Sequence, residues 1–503
     1  MNALSEFSRL SGSVYIDGSA RGSGATERLD IIDPATEDRI GEMADATEAE
    51  IDEAIAIANR AQKEWNAINP LQRAEMMHEV ARKMTELKPL VAEMMTREMG
   101  KPYKEAADEV QWGISAIDYY GEVARHDAGK VIGPVADGQF HFTQKEALGT
   151  VVIILPFNFP VVLFCWEAAA AIAAGNSVIV KPSEHTALTT IKFMESFACL
   201  PQGLVQCVTG GVRVGQHLVQ SPDTHAVAFT GGIPAGKAVA ASCAETFKRV
   251  LIEASGNDPF LVMPSARLDI AARGAAFAAN LNCGQVCTSA ERFYVHDSIY
   301  DEFVEKVTAE VAKLRIGNGL DQVDMGPMVS ERERDRYEKI LARAIEQGAE
   351  PVIGGGRPSD FNKGWFVDAT VLRNVTPDMD IMSTEPFGPV APMCRVSDFD
   401  EAIALANDSE MGLGATIFTT DLKETMRAVN EIEAGMVWVN APVLDNDAGP
   451  FGGVKMTGTG RQLGSEGLDQ FRNTKMVMID PNSESQDFWW FPYADDESYP
   501  GGK

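Results

Sequence analysis

Relative to its size, this chain is short of positive charge. It has 44 Lys and Arg against 73 Asp and Glu, a formal net charge of −29 over 503 residues. An acidic surface repels phosphates, so nucleic acid is excluded as a partner. The same charge reads either as a strongly solvated surface or as a field that steers a cationic substrate. Cysteine is also scarce. Cys165, Cys199, Cys207, Cys243, Cys283, Cys287 and Cys394 are scattered without a framework spacing. That excludes a disulfide scaffold and points to free thiols in a reducing cytoplasm. No apolar run reaches the roughly 18 residues of a membrane span. The run from Val161 to Ala174 contains Glu167 and ends at Gly175, which suits a buried helix. Met1-Asn2-Ala3-Leu4-Ser5-Glu6 lacks the basic-then-apolar pattern of a signal peptide, so a cytoplasmic protein is expected. Internal repeats and low-complexity linkers are missing as well.

What is present is globular: 45% hydrophobic and 23% charged residues. The length calls for two or three domains. Residues 46 to 125 read as helices. Thr47-Glu48-Ala49-Glu50-Ile51 opens with a capping pattern, and Leu71 to Met99 has helical apolar spacing. Residues 126 to 149 read as an antiparallel insertion, with His141 to Glu146 alternating like an exposed strand. From 150 to 255, apolar strands at Thr150–Leu155, Ser177–Lys181, Leu204–Val208, His225–Thr230 and Arg249–Glu253 alternate with helices. Such alternation predicts right-handed crossovers and a doubly wound parallel sheet. Residues 256 to about 456 repeat the α/β pattern. Lys475–Ile479 returns to an exposed strand, and Phe488-Trp489-Trp490-Phe491-Pro492-Tyr493 forms an aromatic tail. Left in water that tail would be costly, so docking on a neighbouring subunit, or else on its own chain, is expected.

Three segments carry chemistry. Cys287 lies in Asn282-Cys283-Gly284-Gln285-Val286-Cys287-Thr288-Ser289, just after an apolar helix. A lone cysteine is ordinarily a small buried hydrophobe. A Cys-x3-Cys metal site would need histidines, and none is near, so no catalytic metal is expected. Glu253 ends a buried strand, where a parallel sheet presents ligand chemistry; a capping or ion-paired Glu is the plain alternative. Asn158 sits in Pro156-Phe157-Asn158-Phe159-Pro160, its backbone fixed by the prolines. A thiol that attacks, an amide that holds an oxyanion and a carboxylate that activates water are the parts of one covalent mechanism. Gly231-x4-Gly236-Lys237 has P-loop spacing, but Ala238 stands where Ser or Thr must hold Mg²⁺. No GxGxxG signature is present.

Together these segments resemble the aldehyde dehydrogenase superfamily, of the hydrolytic, non-acylating type, over nearly the whole chain. The resemblance implies two doubly wound parallel-sheet α/β domains plus a small antiparallel oligomerisation element. It places an NAD-binding domain at 1–127 and 148–255, a catalytic domain at 256–456, and bridging segments at 128–147 and 457–503. It implies Cys287 as nucleophile, Glu253 as general base, and Asn158 with the Cys287 N–H as oxyanion hole. The motif Glu253-Ala254-Ser255-Gly256-Asn257 departs from the usual Glu-Leu-Gly-Gly-Lys. Ser255 replaces the first glycine there, which affects how closely the backbone approaches the nicotinamide.

Cofactor contacts are implied at Pro156, Phe157, Lys181, Glu184, Gly231, Gly232, Gly236, Glu385 and Phe387. Glu184 favours NAD over NADP, because a carboxylate accepts from ribose hydroxyls and repels a 2′-phosphate. The substrate is an aldehyde whose pocket is assigned to Leu163, Trp166, Phe451 and Asp445. Aromatics with carboxylates suit an amino or quaternary-ammonium aldehyde, whereas Asp445 and Asp447 in a turn capping its own backbone leave aromatic or aliphatic aldehydes open. A semialdehyde bound through Arg292 is a further possibility. The resemblance implies a homodimer or homotetramer. A coenzyme A-acylating enzyme and a non-catalytic binding protein on the same fold are the alternatives.

Overall fold

The computed structural model describes residues 2–126, 128–483, 485–486 and 490–491. Its first sheet has eight strands, in the order Ser19–Gly22, Ser13–Ile16, Val205–Cys207, Ser177–Lys181, Thr150–Ile154, Ala226–Thr230, Arg249–Glu253 and Gly458–Thr459. The five strands between residues 150 and 253 run parallel. The chain first steps outward from Thr150–Ile154, then crosses back to its other side at Ala226–Thr230. That reversal opens a crevice at the carboxyl ends of the central strands. The strands Thr150–Ile154 and Ser177–Lys181 are apolar and covered on both faces, as a central parallel sheet requires.

Three long helices, Glu48–Ala67, Pro70–Met99 and Tyr103–His126, precede this sheet. The capping pattern at Thr47 is a complete capping box with Glu50. Gly100 ends the second helix in the left-handed region, at φ 95°. The helix Val162–Ala173, apolar but for Glu167, is buried along its length. An N-terminal helix, Ala3–Leu10, and the hairpin Ser13–Gly22 were not legible as elements from periodicity.

The second sheet has seven strands, in the order Glu350–Ile353, Thr370–Val375, Val390–Val396, Ala290–His296, Asp258–Val262, Gly414–Phe418 and Met436–Val439. All but the first are parallel to their neighbours. Each large sheet is built around its own apolar core. A third sheet pairs Arg472–Ile479 with Phe140–Ala147 over eight residues, with Val131–Ile132 at its edge. The terminal segment is thus shared: Gly458–Thr459 closes the first sheet while Arg472–Ile479 joins the insertion strand. Of the aromatic tail, only Trp490 and Phe491 are among the described residues, and both are exposed. The docking expected of the tail otherwise lies outside them.

Only the tetrapeptide Ala254–Asn257 separates the end of the first sheet at Glu253 from the start of the second at Asp258. The carboxyl edge of one sheet therefore faces the amino edge of the other, and the site lies between them.

Candidate active site

Cys287 sits three residues before the strand Ala290–His296. The helix Leu268–Asn280 ends just upstream, and Asn282, Cys283 and Gly284 then take φ values of 52°, 57° and 69°. Consecutive residues in the left-handed region are strained and persist only when their surroundings hold them. Here the Asn282 N–H donates to Glu105 Oε2 at 3.0 Å. Asn282 Nδ2 donates to the carbonyls of Gln285 and Asn158, each at 3.1 Å. Gln285 Nε2 returns a bond to the Asn282 carbonyl, and Gln285 Oε1 accepts from Val329 N. A Cβ on Gly284 would lie 2.2 Å from the Gly388 carbonyl carbon, so no side chain fits. The loop delivers a half-buried Cys287 side chain. Cys283 points elsewhere, its sulfur 3.7 Å from that of Met328.

Asn158 follows the strand Thr150–Ile154 and is buried. Its backbone carbonyl accepts from Lys101 Nζ at 2.6 Å as well as from Asn282. Lys101 pairs with Glu109 at 2.5 Å, and both side chains are fully buried. The other Glu109 oxygen accepts from Val161 N and Val162 N, the free donors at the start of the helix Val162–Ala173. The ion pair thus braces the Asn158 loop and the helix after it, and the Asn282 side chain ties that loop to the nucleophile loop. The Asn158 side-chain amide makes no hydrogen bond among the described residues and lines the cleft.

Glu253 lies opposite Thr230 in the parallel register. Neither of its carboxylate oxygens has a hydrogen-bond partner. Burial pushes its carboxyl well above the usual carboxylate range, against the smaller opposing effect of the Cys287 thiol. Burial likewise raises the Cys287 thiol, and the Glu253 charge raises it further. Behind them stands Glu167, fully buried, which accepts from Gln462 Nε2 at 2.6 Å and Thr230 Oγ1 at 3.3 Å. Burial holds its carboxyl up to about 8, so it is mostly neutral at neutral pH. Sequence reading met Glu167 only as an interruption of an apolar run. The signal for it, and for Glu109, was a charged residue on an otherwise apolar helix face.

Two cavities meet at Cys287. The first, of about 660 Å³, is lined by Pro156, Phe157, Asn158, Gly231, Gly232, Glu253, Cys287, Glu385 and Phe387 among others. The helix Ile233–Ala244 begins at its wall with Gly232 as N-cap and no side-chain cap, leaving backbone donors for an anionic group. Space beside Gly232 is open, with no atom closer to a built Cβ than Pro234 Cδ at 3.9 Å. Free helix donors, an open glycine and aromatic rings at Phe157 and Phe387 (centroids 5.9 Å apart) fit a dinucleotide. Glu385 is held through Gly256 N at 3.2 Å, and Arg336 anchors its carbonyl at 2.6 Å. The critical close approach is at Gly256: a Cβ there would lie 1.9 Å from the Cys287 carbonyl oxygen. The glycine retained after Ser255 is therefore the one the loop requires. Lys181 and Glu184 stand apart from this wall, Nζ to Oε1 3.9 Å, with Lys181 buried and Glu184 part exposed. Gly236 packs its helix onto Ile252 and Phe229, 3.1 and 3.5 Å from a built Cβ, and is not a cleft-lining residue.

The second cavity, of about 490 Å³, brings Leu163, Trp166, Phe451 and Asp445 to Cys287 from the opposite side. Trp166 and Phe451 pack with centroids 4.9 Å apart. Trp112, on the helix Tyr103–His126, also lines it; nothing in its helical spacing singled it out. Arg292 does not. It is 1% exposed, and it donates to the carbonyls of Asn257, Leu405 and Ala406. The possibility of a semialdehyde anchored at Arg292 is overturned, since these backbone acceptors hold the buried guanidinium against the helix Phe399–Asn407 and the linking tetrapeptide. Among the described residues, no cluster of His, Cys, Asp and Glu suits a metal ion, and no helix is long and apolar enough to cross a membrane.

Residues 21–477 match the sequence profile of the aldehyde dehydrogenase family. A 3-sulfolactaldehyde dehydrogenase from Pseudomonas putida is 36% identical over 484 residues, 95% of this chain and 99% of the relative. A betaine aldehyde dehydrogenase from Staphylococcus aureus, solved with NAD⁺, superposes with a TM-score of 0.93 at 31% identity, covering 97% of this chain and 99% of the other. An NADP-dependent enzyme from E. coli gives 0.91 at 33% identity, covering 94% and 99%. The chain belongs to the aldehyde dehydrogenase family, whose members oxidise aldehydes with NAD(P).

Proposed function

We propose that this protein oxidises an aldehyde to its carboxylic acid with NAD, through a covalent intermediate on Cys287 hydrolysed by water that Glu253 activates. The observation that carries this reading is the meeting of two cavities at one thiol, with the unpaired Glu253 carboxyl and the free Asn158 amide in the same cleft.

Gly231 and Gly232 would hold the dinucleotide's phosphates, Glu385 its nicotinamide ribose, Pro156, Phe157 and Phe387 its ring, and Lys181 with Glu184 its adenosine ribose. Gly236 keeps the phosphate-side helix against its sheet. When bound, the nicotinamide supplies the hydride acceptor. The Cys287 thiolate forms a carbon–sulfur bond to the aldehyde carbon. The Asn158 side-chain amide and the Cys287 N–H hold the resulting oxyanion. Loss of hydride leaves a thioester. Glu253 then takes a proton from water, whose oxygen attacks the thioester carbonyl, and the acid departs as the thiolate is restored. NAD is favoured over NADP because the Glu184 carboxylate repels a 2′-phosphate. The oligomeric reading rests on the antiparallel sheet, which exposes Val131, Phe140 and Met478. Such a face suits pairing with a second copy of the chain as a homodimer or homotetramer.

NADH absorbance against an aldehyde panel, without coenzyme A, tests the reaction. NADH should form, and Cys287→Ala should abolish turnover, by more than about a thousandfold, while NAD still binds. Turnover by the alanine variant, or activity only when coenzyme A is added, would remove Cys287 or Glu253 from these roles.

A further inference from the structure

The second cavity runs from Cys287 past Trp166, Phe451, Trp112 and Phe277 to Asp445 and Asp447. Those two carboxylates are its only charged side chains; no Lys, Arg or His lines it. An aspartate in a turn normally caps its own backbone. Here that work is done by others. Asn446 Oδ1 accepts from Ala448 N at 3.0 Å, the Leu444 carbonyl accepts from Trp438 Nε1 at 2.8 Å, and the Asp447 carbonyl accepts from Gly464 N at 2.9 Å. Neither the Asp445 nor the Asp447 carboxylate makes a hydrogen bond or ion pair among the described residues. Asp445 is exposed at the mouth of the cavity and Asp447 is half-buried there. Desolvation by the surrounding wall, and next the Asp447 charge, push the Asp445 carboxyl up. Two carboxylates with no ion-pair partner, beside aromatic faces, suit a cation.

We propose that the aldehyde this tunnel accepts carries a cationic nitrogen at the end remote from the carbonyl, held by Asp445 and Asp447 and by the aromatic wall, with the carbonyl at Cys287. This rests on the oxidation reading given above. The aromatic faces favour an alkylated ammonium over a strongly hydrated primary one. Anionic aldehydes are repelled at the same point, although a relative at 36% identity is named for a sulfonated substrate. The net charge of −29 adds long-range steering in the same sense.

The test compares kcat/KM, with NAD, for trimethylammonioacetaldehyde and its neutral isostere tert-butylacetaldehyde, with a primary-ammonium and a carboxylate-bearing aldehyde alongside. The cationic member should lead its isostere by about tenfold or more. That ratio should collapse toward unity in Asp445→Asn/Asp447→Asn and fall part of the way in Asp445→Asn alone. Calorimetry with choline, an unreactive cation, reads the same site without turnover, and its affinity should drop about tenfold in the double variant. Equal kcat/KM for the isosteric pair, a ratio indifferent to both variants, or a preference for the carboxylate-bearing aldehyde overturns the proposal. Turnover without choline binding refutes the cation site alone. Choline binding without any turnover refutes the oxidation reading and leaves the cation site standing.

Discussion

Burial raises the cost of ionising both Cys287 and Glu253; the Glu253 charge adds to that cost at the thiol, whereas the thiol eases ionisation of Glu253. The sign is testable. Replacing Glu253 by Gln removes a negative charge beside the thiol, so the Cys287 pKa should fall. Iodoacetamide alkylation, followed against pH, should then reach its half-maximal rate at a lower pH than in the unaltered protein. An unmoved or raised midpoint would show that the two groups do not face each other in solution. The same substitution removes the proposed base, so kcat should drop by roughly 10²–10⁴-fold. A thioester trapped on Cys287 would mark hydrolysis as the step that is lost.

At the level of elements, the oxyanion side of the cleft depends on a pair distant in sequence from any motif. Lys101 follows the long helix Pro70–Met99, and Glu109 lies on the next helix, Tyr103–His126. They meet under Asn158, where Glu109 also satisfies the first donors of Val162–Ala173. Lys101→Met leaves Glu109 buried without its partner, at a cost of about 3–5 kcal/mol. A lower urea midpoint would register it, and Lys101→Met/Glu109→Leu should recover part of the loss. The helical stretch from 46 to 125 that carries this pair was legible in the sequence. The pair's convergence on Asn158 was not, because a charged residue on an apolar face looks the same whether it is paired inside or turned to water.

Across the whole molecule, the insertion strand Phe140–Ala147 and the C-terminal strand Arg472–Ile479 form a sheet apart from the two large ones. Met478 is 63% exposed there and Val131 76%. If this sheet is where copies join, as proposed above, Met478→Asp should lower the mass seen by sedimentation. A mass unchanged by that substitution, or a monomer before it, would place the interface elsewhere or remove it.

The sequence by itself determined the family and the alternation of elements, since these depend on local composition: β-rich runs between helices, and short motifs around Asn158, Glu253 and Cys287. It also marked Glu385 and Phe387, which the fold brings to the same cleft. Tertiary structure decided what no local pattern carries. It buried the Arg292 guanidinium against the helix Phe399–Asn407, where backbone carbonyls hold it, and left Asp445 and Asp447 unpaired at the tunnel mouth because Asn446 and backbone groups already satisfy the turn. It also set Gly256 against the Cys287 carbonyl and Glu167 behind Glu253. A side chain's identity is a property of the chain, but its partner, and hence its charge, depends on which distant segment arrives beside it.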